Sequence, residues 1–327
     1  MKILHTDFEN YPSGALAMLE TLGNVVRRKP ETREAFLRLV ADADILIVRM
    51  DTVVDRALIN AAPRLVIVGS ATTGINHLDM DALEEHGIAV ITLRGETTLL
   101  QEIPSTAEHA MGLILALLRR IPWSFDAVRR RTWESFAFQG HELKGRVIGL
   151  VGCGRVGAMV AGFSAAFGMR VLGYDPHRDA GELASAGIEA VSLEGLLRHS
   201  DIVSLHPLLT EETAGMIGAS EFALMKKEAV LINTARGELV DEAALLHVLE
   251  TGGIAGAALD VLQHEKDLYA GRLAHPLIAY AEQRDNLLIT PHIAGMAVES
   301  VWKTSEYIAR RIVVVAKRLE KKARDTP

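Results

Sequence analysis

Short apolar runs alternate with longer mixed stretches along nearly the whole chain. Near the N-terminus, the runs at 2–5, 45–49, 65–69 and 88–91 are brief and rich in Ile, Val and Leu, as buried strands are. Between them, 12–22, 31–41 and 79–86 read as helices. This alternation predicts a small parallel α/β domain. The segment 93–103 reads as a crossover between domains. Ser105 and Glu108 have the spacing of a capping box behind Pro104 and predict a helix start. Met111, Ile114, Leu115, Leu117 and Leu118 give that helix its apolar face, and Arg119, Arg120 and Pro122 are expected to close it. The stretch 123–141, with Trp123, Trp133, Phe136 and Phe138, reads as an aromatic arm that packs against a partner subunit.

The segment 144–175 organises the rest. An apolar β-branched run, 147–151, is followed by Gly152-Cys153-Gly154-Arg155-Val156-Gly157. A helix of small residues is expected over 158–167 and a second strand over 170–174, ending on Asp175. This is a βαβ unit with a dinucleotide fingerprint in place. Gly152 permits the tight turn, Gly154 lets a pyrophosphate approach the backbone, and Gly157 lets helix and strand lie close. Free N–H groups at the helix start attract phosphate. Asp175 can accept from both adenosine ribose hydroxyls and repels a 2′-phosphate. NAD is therefore expected over NADP, with Arg178 near enough to soften the preference. Four further runs each deliver polar residues at their carboxyl ends. They are 202–205 before His206, 230–233 before Thr234 and Arg236, 255–259 before Asp260, and 287–290 before Pro291-His292. Ligands bind at that edge of open parallel sheets. The turn 69–74 after the third strand reads either as an anion-binding turn or as an ordinary connection. An amphipathic helix over 298–319 is expected to return to the first domain.

Composition narrows the field. A chain of 327 residues, 49% hydrophobic and 24% charged, has room for two domains. A net charge of −7 gives no reason to expect nucleic acid or an anionic membrane as partner. Cys153 is the only cysteine, so no intrachain disulfide can form, and a reducing cytoplasm is expected. No zinc-type spacing, signal peptide or membrane-length apolar run is evident, so no metal is expected.

A nicotinamide cofactor implies hydride transfer. Reducing a 2-oxo acid requires a cation for the carboxylate, a proton donor for the developing alkoxide and a group that keeps the donor charged. A guanidinium is a rigid, permanently charged fork. An imidazole titrates near neutrality, and an adjacent carboxylate favours its charged form. Arg236, His292 and Glu265, each at or just beyond a strand's carboxyl end, are the candidates.

The segments NTARGELVDEAALLHVL, GAALDVLQHE and NLLITPHIAG resemble the D-isomer-specific 2-hydroxyacid dehydrogenases, a family that includes phosphoglycerate dehydrogenases and glyoxylate/hydroxypyruvate reductases. The resemblance covers nearly the whole chain. It implies two parallel-sheet α/β domains, Rossmann-like and flavodoxin-like. An NAD-binding domain at 99–295 would be inserted into a discontinuous substrate domain made of 1–98 and 296–327. It also implies a homodimer, NAD as cofactor and a small anionic 2-oxo or 2-hydroxy acid as substrate. By resemblance Arg236 binds substrate, His292 is the acid/base and Glu265 its partner. Gly152, Gly154, Arg155, Val156 and Gly157 meet the pyrophosphate, and Asp175 the ribose. His206 and Thr213 cover the adenosine side. Thr234, Asp260 and Gly295 meet the nicotinamide, and Thr73 and Gly74 hold the substrate carboxylate. Arg49 matches an arginine that reaches a substrate phosphate, a solvated strand-end charge being the alternative. Some relatives instead bind NADH to regulate transcription, which gives a corepressor-like alternative. Glu265 stands where formate dehydrogenases carry glutamine, whereas phosphite-oxidising relatives share the Arg/Glu/His set. The sequence departs from the family's pattern at 93–95, at Lys266 in place of a proline, at Pro207, and in a longer segment over 266–286. These departures weaken the case for 3-phosphoglycerate as substrate.

Overall fold

The computed structural model describes residues 1–6, 9–269, 271 and 274–325. They form two compact units, Met1–Glu102 with Met296–Pro327, and Ile103–Gly295. Both are α/β units built on parallel sheets, as the alternation of short apolar runs predicts.

In the first unit, β1 (Lys2–His5), β2 (Asn24–Arg27), β3 (Ile45–Val48), β4 (Ile67–Ser70) and β5 (Ala89–Ile91) form one sheet in the order β2-β1-β3-β4-β5. Every pair is parallel. β2 is absent from the sequence reading because its two valines lie between polar residues, Asn24 and Arg27, on a sheet edge. The helix Val298–Asp325 returns to this unit and lays Ile308, Ala309, Ile312 and Ala316 against Ile3, Ile45 and Ile67. Gly69 makes the approach possible: a Cβ there would lie 2.7 Å from Ile312 Cδ1. The helix continues past the expected end at 319, because Lys321 and Lys322 extend it at little cost on an exposed face.

In the second unit the sheet order is β12-β11-β10-β9-β6-β7-β8. The strands are β6 (Val147–Val151), β7 (Arg170–Tyr174), β8 (Glu189–Ala190), β9 (Ile202–Leu205), β10 (Val230–Asn233), β11 (Gly256–Leu259) and β12 (Leu287–Ile289). All pairs are parallel. The order reverses between β6 and β9, the switch point at which doubly wound sheets open a crevice. Ile148 and Leu150 of β6 are fully buried, each worth about 1.5–3 kcal/mol on removal from water.

Several local expectations are corrected. Ser105 is the first helical residue of Ser105–Leu118, not its cap, and its Oγ is buried with no partner among the described residues. Pro104 occupies the cap position, has no N–H and already has near-helical dihedrals, so the helix starts one residue early. Pro122 opens a new helix, Ile121–Arg129, after Arg120 takes a left-handed conformation. Trp123 packs against the core of this unit, so the exposed aromatics of the stretch are Phe125, Trp133 and Phe136. The segment 93–103 is not all connection, since Thr97–Gln101 is a short helix. The helix after the glycine turn begins at Arg155, three residues before the expected start.

Candidate active site

The glycines of the first βα turn divide their work. Gly152 has φ 84°, and a Cβ there would come within 2.6 Å of Pro207 N. At Gly157 a Cβ would sit 2.3 Å from Gly152 O, so this glycine lets the helix Arg155–Ala166 meet the turn. Gly154 caps that helix with φ −68°, and a Cβ on it would meet nothing within 4 Å. Its open face lies beside the first N–H groups of the helix, Arg155 and Val156, which no intrahelical acceptor can satisfy. The guanidinium of Arg155 donates to Ile103 O at 3.0 Å. Asp175 braces the turn from the end of β7: Oδ2 accepts from Cys153 N at 2.9 Å and Oδ1 from His177 N at 3.0 Å. Arg178 donates to Cys153 O at 2.9 Å. Cys153 is buried and its thiol is pushed up to about 12 by burial and by Asp175, so it is no thiolate.

On the next strand His206 is held by Ser204 at 3.0 Å, and burial lowers its pKa to about 4, so it is neutral at physiological pH. The hydroxyl of Thr213 is engaged within its own turn, donating to Leu208 O at 2.7 Å.

The ends of β10, β11 and β12 carry the polar residues. Asn233 locks the turn after β10: Oδ1 accepts from Ala235 N and Nδ2 donates to Arg236 O. Arg236 is half-buried, with Nη1 2.5 Å from Ala235 O. Gly237 follows because a Cβ there would lie 2.1 Å from Leu262 C, which packs this turn directly on the segment after β11. Thr234 Oγ1 is buried with no partner among the described residues.

Asp260, at the end of β11, is almost fully buried. Oδ1 accepts from Thr290 Oγ1 at 2.5 Å and Ile293 N at 2.9 Å, and Oδ2 from Ala294 N at 2.8 Å. His109 Nε2 stands 3.3 Å from Oδ1 and 3.0 Å from Thr290 Oγ1. Burial pushes this carboxyl up, but these donors outweigh it and hold it below the usual range, so it is ionised. The backbone of His292 takes φ 54°, fixed by its N–H to Asp260 O at 2.9 Å. Its ring then presents Nδ1 to Glu265 Oε2 at 2.7 Å, while Glu265 Oε1 accepts from Leu262 N at 3.2 Å. Asp260, Glu265, Thr290 and His292 line a cavity of about 510 Å³ with apolar Trp123 and Ile278. Such walls raise the worth of charge interactions inside.

Sequence reasoning passed over His109, Thr290 and Asn233. Asn233 was findable, because Asn at a strand end commonly locks the following turn. His109 gives no such signal, for only the fold brings it to Thr290. In the other unit, Arg49 follows β3 and places Nη2 2.9 Å from Met296 Sδ. Thr73 and Gly74 lie in the turn after β4, which is stiffened by Thr72 Oγ1 to Gly74 O at 2.8 Å and by Ser70 between Thr72 and His77. Among the described residues, no group of His, Cys, Asp and Glu could hold a metal, and no helix is long and apolar enough to cross a membrane.

The NAD-binding-domain model of the D-isomer specific 2-hydroxyacid dehydrogenases matches residues 111–294. D-3-phosphoglycerate dehydrogenase of Methanocaldococcus jannaschii is 36% identical over 315 residues, 95% of this chain and 57% of that protein. The chain thus spans little more than half the length of the phosphoglycerate dehydrogenases it matches. Glyoxylate reductase of Thermofilum pendens is 37% identical over 316 residues, 94% of this chain and 89% of that protein. Among solved structures, D-lactate dehydrogenase of Aquifex aeolicus with NAD and lactic acid superposes with a TM-score of 0.75 at 30% identity, covering 98% of this chain and 96% of that one. With its two parallel-sheet units and a glycine turn fitted to a dinucleotide, the chain belongs to the D-isomer specific 2-hydroxyacid dehydrogenase family, and its central unit is an NAD-binding domain.

Proposed function

We propose that this protein interconverts a small D-2-hydroxy acid and the corresponding 2-oxo acid with NAD(H). The observation that carries the reading is the 2.7 Å contact between His292 Nδ1 and Glu265 Oε2. With Nδ1 so engaged, Nε2 is the ring nitrogen left for the substrate oxygen, and the carboxylate fixes the ring's orientation.

The residues of the glycine turn fit the cofactor. Gly154 leaves open space at a helix N-terminus for a pyrophosphate. Asp175 takes one hydrogen bond on each oxygen and keeps lone pairs for ribose hydroxyls. The Thr234 hydroxyl, without a partner among the described residues, the open face of Gly295 and the Asp260 carboxylate suit the nicotinamide side. His206 and Thr213 flank the adenosine side. When bound, the nicotinamide supplies or accepts the hydride. The chain does the rest. Arg236 holds the substrate carboxylate. His292 delivers the proton to the carbonyl oxygen during reduction and removes it during oxidation. Arg49 reads an anionic tail where the substrate has one.

General-acid help of this kind is worth about 10²–10⁴-fold. His292→Gln is therefore expected to lower turnover of the best 2-oxo acid by about that factor while NADH still binds. The check is NADH consumption against glyoxylate, hydroxypyruvate, pyruvate and 3-phosphohydroxypyruvate, with NADH binding measured in parallel. A variant with near-full turnover would sink the assignment. The reading includes a homodimer and a cytoplasmic setting. Trp133 and Phe136, 88% and 92% exposed, support a subunit contact, and sedimentation equilibrium tests it.

A further inference from the structure

The segment that carries Glu265 is held by a second acid–imidazole pair. Glu242 opens the helix Glu242–Thr251, but its carboxylate does not cap that helix, because Asp241 Oδ1 already accepts from Ala243 N and Ala244 N at 3.0 Å. Instead Glu242 Oε1 reaches across to accept from Gln263 N at 2.8 Å, and Oε2 lies 3.1 Å from His275 Nε2. The two side chains are only 15% and 11% exposed. Gln263 is tied a second time through Nε2 to Val240 O at 2.8 Å.

Two residues further on, Glu265 meets His292. Between them His264 has φ 57°, a conformation that costs a non-glycine residue about 1–3 kcal/mol and persists only where neighbours over-determine it. The hydrogen bonds on either side, at Gln263 and Glu265, supply that constraint. We infer that Glu242 and His275 are positioning residues: they set the backbone at Gln263 so that the Glu265 carboxylate lies against His292. His275 begins the helix Pro276–Ala281, so the pair also ties the longer segment 266–286 to this point.

The inference rests on the reading of Glu265 and His292 above, and its test must separate the two. A histidine Nδ1–H hydrogen-bonded to a carboxylate gives a far-downfield proton resonance. It needs no substrate, and Glu265→Gln identifies it. Glu242→Ala removes both acceptors. It is expected to broaden or abolish that resonance in a protein of native circular dichroism. It is also expected to lower kcat about 10- to 100-fold, with NADH affinity and KM unchanged within about twofold. Glu242→Gln keeps an acceptor for Gln263 N–H and is expected to restore both signals. His275→Ala, which leaves the Gln263 contact intact, should show a smaller loss of the same kind and serves if Glu242→Ala fails to fold. A wild-type resonance in both alanine variants, whatever their melting temperatures, would overturn the inference. Should the wild type reduce no 2-oxo acid, the functional reading fails while the resonance still decides the positioning role.

Discussion

Replacing Gly154 by alanine separates folding from cofactor binding. The new methyl meets no protein atom within 4 Å, and φ −68° suits any L-residue. Folding should be unharmed, and reduced freedom of the unfolded chain should add about 0.4–1 kcal/mol. The methyl would nonetheless stand in front of the Arg155 and Val156 N–H groups, where the pyrophosphate is expected. Lengthening one charge-assisted hydrogen bond costs about 1.5–3 kcal/mol, or about 10- to 150-fold in NADH affinity. The neighbouring glycines should behave oppositely. Gly157→Ala forces a Cβ to 2.3 Å from Gly152 O. Gly152→Ala adds a left-handed backbone, worth about 1–2 kcal/mol, to a 2.6 Å approach to Pro207 N. Both should lose stability before binding is considered. Urea denaturation without cofactor gives the first quantity, and NADH fluorescence titration the second. If Gly154→Ala bound NADH as wild type does, the phosphate would not lie at this helix start. If it unfolded as easily as Gly157→Ala, the open face would be misassigned.

Two further outcomes follow from burial. Cys153, buried and with its thiol pushed up to about 12, should resist alkylation in mildly alkaline native protein and react fully once denatured, as mass spectrometry would show. For Asp260 the folded carboxyl lies below its ordinary value, so its ionised form stabilises the fold at neutral pH, and that contribution disappears as pH falls below about 4. Asp260→Asn turns an NH₂ toward donors that now meet the carboxylate. It should cost about 3 kcal/mol at neutral pH, with the gap narrowing in acid; a pH-independent difference in urea midpoints would contradict this.

The parallel sheets were legible because each central strand is a short apolar run with a turn signal after it. Two of the four edge strands were not: Asn24–Arg27 and Glu189–Ala190 bury too little to show periodicity. The helix start at Ser105 was misread because a capping box looks the same when its serine is the first helical residue and a proline stands behind it. At the site, sequence order could mark Glu265 and His292 as separate strand-end residues, and the fold brings them to 2.7 Å. It could not show what holds them, since His109, Glu242 and His275 come from three different elements and act through contacts that leave no local pattern.

Those contacts join the strand-end residues into one network. Asp260 accepts from Thr290, Ile293 and Ala294, which bracket His292, and its own carbonyl takes the His292 N–H. A left-handed histidine with φ 54° is thereby fixed by the carboxylate expected to face the nicotinamide. On the other side, Gly237 packs the Arg236 turn against Leu262, whose N–H holds Glu265. Arg236, Glu265, His292 and Asp260 thus share backbone contacts at the carboxyl ends of three adjacent strands. A substitution at any of them should disturb the others, so single-residue effects on turnover will not add. Double-mutant cycles between Asp260 and His292 are expected to show coupling, whereas Asp175, braced separately at the end of β7, should be additive with both.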